Sequence, residues 1–151
     1  MIYECEVIRQ GQHASDADAL LYTPMKVGLT MKHSRTYRFD FEGDEAALRA
    51  FARAVLVDEV SQEISDGTDP VVKDALFHLD YSMKPGALDL EKEAIMNYYR
   101  SRNGDTFVLK QLHISQRVYI FGEGDAVALS TRFIKDIVNP AVHKHQLSIA
   151  G

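Results

Sequence analysis

The chain has 151 residues, a mass of 17.0 kDa, a formal net charge of −5 and a pI near 5.6. With 46% hydrophobic and 26% charged residues it is too apolar for a disordered chain, and its acidic balance argues against a general nucleic-acid binder, which needs a basic face. One cysteine, Cys5, excludes an internal disulfide framework and a cysteine-rich zinc site, and no apolar run approaches the roughly 18 residues that mark a transmembrane helix.

In chain order, Met1-Ile2-Tyr3-Glu4-Cys5-Glu6 has no basic stretch ahead of an apolar one, so no signal peptide is expected and a cytoplasmic location is. Ile2 to Ile8 alternates as a strand, with Tyr3, Cys5 and Val7 on one face. Gly11 ends it, and a short helix limited by Pro24 follows Ser15. Lys26 to Met31 reads as a weak strand. Thr36 to Phe41 reads as a clear one, with Tyr37, Phe39 and Phe41 sharing a face. Gly43-Asp44 breaks that strand and caps a helix whose stripe is Leu48, Phe51, Ala52, Val55 and Leu56. Asp66-Gly67-Thr68-Asp69-Pro70 is a turn-rich connector.

Leu76 to Met83 alternates again, with Phe77, Leu79, Tyr81 and Met83 on one face. Pro85-Gly86 stops it, and Asp89 caps a helix carrying Leu90, Ala94, Ile95, Tyr98 and Tyr99. Arg102 to Asp105 forms a turn, after which Phe107 to Leu112 reads as a hairpin strand ahead of a second strand at Gln116 to Phe121. Gly124-Asp125 opens a helix with the stripe Leu129, Phe133, Ile134, Ile137 and Val138, which Pro140 ends. His145 to Ala150 reads as a short final strand.

The two halves resemble each other. Moving Ser34–Val60 forward by 81 positions gives seven identities in 27, three of them an unbroken Glu-Gly-Asp, where average usage gives roughly one or two. The reading is an α+β fold of two ferredoxin-like βαββαβ repeats, residues 1–65 and 75–151 joined by a linker at 66–74. They are expected to pack as a pseudo-dimer, sheet on sheet, with mainly antiparallel strands and helices on the outer faces.

No catalytic constellation emerges. There is no P-loop, dinucleotide-binding glycine pattern or nucleophile elbow, and Gly122-Glu123-Gly124 suits a strand-to-helix turn. His143 and His145 flank Lys144, but no third metal ligand is identifiable by spacing, so no metal site is assigned. Cys5 falls on the inward face of its strand, where cysteine acts as a small hydrophobe. Asp89, Glu91 and Glu93 complement the dipole of the helix they open.

Three passages carry a resemblance. Leu79-Asp80-Tyr81-Ser82-Met83-Lys84-Pro85-Gly86-Ala87-Leu88-Asp89 is similar to the opening strand, Lys-Pro-Gly turn and Asp-capped helix of the small subunit of phosphoribosylformylglycinamidine synthase. Residues Phe133 to Val142, with Asn139-Pro140, resemble that family's closing helix, and Ala54 to Glu63 resembles the variant ending found in duplicated forms. Glu59 departs from the family's proline, Gln10-Gly11 replaces the Pro-Gly turn in the first half, and Arg9 to Val27 matches poorly.

The resemblance implies a component with no catalytic site of its own. It would link the synthetase and glutaminase of an ATP- and glutamine-dependent ligase of purine biosynthesis and help ammonia pass between them. ATP and magnesium would sit on the synthetase partner, not on this chain, and a homo-oligomer is compatible. Lys84, Pro85, Gly86, Asn139 and Pro140 are the candidate partner contacts, since loops on a rigid scaffold are natural contact sites. Neither nucleic acid nor membrane is an expected partner. The alternative is a tandem ferredoxin-like sensor of the regulatory amino-acid-binding type. A small enzyme with a site at the histidines is a third reading.

Overall fold

Alternation, caps and turn residues place the elements, and the computed structural model describes residues 1–11, 13–58 and 61–149. The strands are β1 (Ile2–Arg9), β2 (Ser15–Asp16), β3 (Thr30–Gly43), β4 (Gln62–Asp66), β5 (Phe77–Met83), β6 (Phe107–Phe121) and β7 (His143–Ile149). The helices are α1 (Glu45–Leu56), α2 (Leu90–Ser101) and α3 (Ala126–Ile137), with a 3-10 turn at Ala17–Leu20. Asp44, Asp89 and Asp125 cap α1, α2 and α3, each carboxylate accepting from backbone N–H groups of the first turn. Glu59, Val60 and Ala150, parts of the sequence reading above, lie outside the described residues.

Among the described residues this is an α+β architecture of three helices on one seven-stranded antiparallel sheet, ordered β4-β1-β3-β6-β5-β7, with β2 alongside β3. The centre is the β3–β6 ladder, in which Thr30 lies opposite Phe121 and Gly43 opposite Phe107. All helices cover one face. Leu112 and Ile114 share a side of β6 with Val118 and Ile120. The first two pack in a core with α1 and α2, and the last two in a core with Phe133 of α3 and Leu21 and Leu29 of the first-half loop.

Several expectations are corrected. The described residues form one sheet, not two packed face to face. The side away from the helices is polar, carrying Glu6, Ser34, Thr36, Arg38, His113 and Arg117, and a polar face cannot form an interior without partners for its groups. The expected hairpin at 107–121 is one strand, because His113-Ile114-Ser115 continues the ladder without a turn. In the first half the strand starts at Thr30, not Lys26, whose φ of +56° belongs to a loop, and it runs unbroken to Gly43. The helix after Ser15 is a single 3-10 turn. On α2 the buried stripe is Ile95 and Met96 with Tyr99 beside them, while Leu90, Ala94 and Tyr98 are exposed.

Candidate functional site

The segment after β5 turns sharply. The Ala87 N–H donates to the Lys84 carbonyl at 3.0 Å, with Pro85 and Gly86 between them. Gly86 has φ +88°, which is the third position of a type II turn and explains glycine there. After α3, the Asn139 carbonyl accepts from the N–H groups of Val142 and His143. Its side-chain Oδ1 accepts from Ala141 N–H, and its own N–H donates to His143 Nδ1 at 3.0 Å. Asn139 is therefore committed to its turn, as the Asx geometry favours.

The structure brings these two segments together. Lys84 Nζ donates to the Pro140 carbonyl at 2.5 Å, and Lys84 N–H donates to the Val142 carbonyl at 2.8 Å. Lys84, Pro85, Gly86, Asn139 and Pro140 thus form a single exposed corner. His143, read as a junction residue, has that role: it closes the Asn139 turn and lies against the Tyr81 ring at 5.3 Å. Among the described residues no group of three or more His, Cys, Asp or Glu is placed to hold a metal ion. Cys5 is fully buried, and burial pushes its thiol up to about 12, far from a reactive thiolate.

Beside the corner the sheet splits. β5 pairs with β6 only from Phe77 to Tyr81, while β6 continues along β3 to Phe107. The gap between the end of β5, α2 and the lower half of β6 is an open cleft of about 690 Å3, reached also by Lys144 of β7. Lys84, Pro85 and Gly86 form part of its wall.

Sequence reasoning missed a second constellation. On the sheet face away from the helices, the Glu6 carboxylate accepts from Arg117 Nη1 at 2.8 Å, Ser34 Oγ at 2.6 Å and Tyr119 Oη at 2.5 Å. Arg117 also clamps Asp80 with Nε at 2.7 Å and Nη2 at 3.3 Å, and donates to the Thr68 carbonyl. The linker after β4 roofs this network, its Val71 N–H donating to Glu6. Burial, seconded by the Glu6 carboxylate, pushes the Tyr119 phenol up to about 12. Burial alone would weaken the Arg117 guanidinium as a base, yet its bonds to Asp80 and the charge of Glu6 outweigh that and raise it. The Glu6 carboxylate accepts four hydrogen bonds and Arg117 donates four, so the constellation reads as a fixed internal clamp. Its sequence signal was a glutamate and an arginine in the middle of strands, on the face expected to pack against a second sheet.

The architecture is that of an α+β protein with three helices on one antiparallel sheet and an exposed corner at its edge. Comparison with known protein families, with curated proteins and with solved structures finds no match to this chain.

Proposed function

We propose that the chain is a non-catalytic assembly component of a phosphoribosylformylglycinamidine synthase, linking its synthetase and glutaminase and shielding ammonia between them. One observation carries the reading. Two of the three passages that resemble the small subunit, Lys84-Pro85-Gly86 and Asn139-Pro140, lie far apart in sequence and converge on one exposed corner through the Lys84–Pro140 bond. A turn pair held this way offers a preformed contact surface at little ordering cost.

The tandem part of the proposal rests on position. α3 begins and ends 81 residues after α1, and β7 begins 81 residues after β4, the offset of the seven identities. The sheet order reads outward from β3–β6 as the same sequence of roles on both sides, as a pseudo-dimer of two repeats requires. In this reading residues 1–65 and 75–151 are the repeats and 66–74 the linker.

The test is reconstitution. The chain is mixed with the synthetase and glutaminase of such an enzyme in the presence of glutamine and adenosine diphosphate, and followed by gel filtration. Co-elution that Lys84→Glu weakens, with the melting temperature little changed, is the expected result. If the chain elutes apart from both components, the reading is wrong.

A further inference from the structure

Some cationic side chains of this acidic protein sit beside a carboxylate. Arg35 meets Glu91, Arg49 meets Glu45 and Asp66, Arg102 meets Asp105, and Arg117 meets Glu6 and Asp80. The cleft beside β6 gathers more cations than carboxylates. Six cations line it, Arg38, Lys84, Lys92, Arg100, Lys110 and Lys144, against three carboxylates. Three of the six are engaged: Lys84 with the Pro140 carbonyl, Arg100 with Asn97, and Lys110 with Glu42.

Arg38, Lys92 and Lys144 have no ion pair or side-chain hydrogen bond among the described residues, and they enter the cleft from β3, α2 and β7. Of the carboxylates, Asp89 is committed to capping α2, which leaves Glu4 and Glu93. His113 faces Arg38 directly across the β3–β6 ladder and lines the same space. Its imidazole is held below its ordinary value, by burial first and then by the charges of Lys144, Lys92 and Arg38, with Asp40 pulling weakly the other way. All three cations therefore project their field onto one spot.

Like charges gathered without partners raise the free energy of the empty cleft, and a concave wall of one sign concentrates the opposite ion. We propose that this cleft is a binding site for a small phosphate-bearing ligand, with Arg38, Lys92 and Lys144 gripping the phosphoryl oxygens and His113 beside them. A phosphoryl group suits it better than a single carboxylate, because it brings close to two negative charges and three acceptor oxygens to three converging donors. The volume of about 690 Å3 falls within the roughly 300–1,000 Å3 usual for small-molecule sites, leaving space for an organic body against Met83 and Met96. The proposal is independent of the bridging role, since it concerns the isolated chain.

The experiment is a titration of the full chain at low ionic strength with pyrophosphate and, separately, with adenosine diphosphate, followed by the NMR signals of the His113 ring and by calorimetry. Saturable binding is expected, weakened about tenfold or more by Arg38→Gln and by Lys144→Gln, and unchanged by Lys135→Gln on the outside of α3. Tighter binding of the nucleotide assigns the apolar wall to an organic body, and equal binding assigns the site to the phosphoryl group alone. The proposal is overturned if neither probe binds at about 10 mM, if sodium chloride of equal ionic strength reproduces the shifts, or if Lys135→Gln weakens binding as much as the cleft variants. Reconstitution with partners has no bearing on these outcomes, so either reading can fail alone.

Discussion

Glu6 and Arg117 are charges taken out of water, and their worth depends on how completely the protein replaces the lost hydration. Glu6 has four donors and Arg117 three acceptors, so the pair is satisfied on both sides. Removing one partner would strand the other in the interior. Arg117→Ala is expected to lower the unfolding free energy by about 3–5 kcal/mol in urea titrations. The double variant Glu6→Leu with Arg117→Met should recover much of that, since apolar replacement of a whole buried pair is often tolerated. If the double variant is as unstable as the single one, the network contributes more than charge compensation.

The histidines give a second prediction at this scale. His33, His78 and His113 are all held below the ordinary value of 6.5, with burial the main cause in each. For His78 the Arg117 charge reinforces burial while Asp80 opposes it. As pH falls below about 6.5 the unfolded chain takes up protons that the folded chain refuses, so stability must drop through the window down to the lower folded values and then level off. Melting temperatures measured between about pH 7 and 5 should fall, and His78→Gln should flatten part of the slope. A melting temperature that holds or rises on acidification would contradict this assignment.

At the scale of elements, the tightest fit is where β3 hands over to α1. Gly43 has φ +104°, and a Cβ there would lie 2.6 Å from the Thr106 carbonyl oxygen and 2.9 Å from Phe107 Cα. Both obstacles are backbone, and Asp44 N–H donates to that same carbonyl, so neither can yield. Gly43→Ala is expected to cost about 1–3 kcal/mol in denaturant unfolding. Gly104→Ala has left-handed φ too but open space around it, and should cost less.

The caps of the three helices and the stripes of α1 and α3 were legible because they are local, whereas on α2 only Ile95 and Tyr99 of the expected stripe turn inward, and the inward faces of Tyr37, Phe39 and Phe41 were legible too. The continuity of β6 was not. The ladder skips Lys110 between Gln111 and Leu109, so the inward positions switch from Phe107 and Leu109 to Leu112 and Ile114. The expected break at 113–115 has another cause: His113, Ser115 and Gln116 are polar and in a sequence look like a turn, although the ladder runs through them. The corner and the clamp were illegible for another reason: Lys84 meets Pro140 across 56 residues and Arg117 meets Glu6 across 111, and no local pattern encodes such pairings.

At the scale of the whole molecule, the two sequence halves do not own separate cores. The core under α1 takes Tyr3, Phe39 and Phe51 from the first half and Ile95, Leu112 and Ile114 from the second, and Phe51 packs against Tyr98, Tyr99 and Phe107. All fourteen residues of β3 pair with β6, so the central ladder also joins the halves. The linker adds a strap over the opposite face, with the Thr68 carbonyl bonded to Arg117. Noncovalent joining on this scale should outlast the covalent link. A protease site placed between the exposed Lys73 and Asp74 leaves Thr68 and Val71 in position, and the cut protein should still elute as one species under native conditions. Because cutting turns folding into association, its melting temperature should become more dependent on protein concentration than the uncut chain's. Two pieces separating on the native column would mean that each half folds alone, and the shared core would have to be weaker than its packing implies.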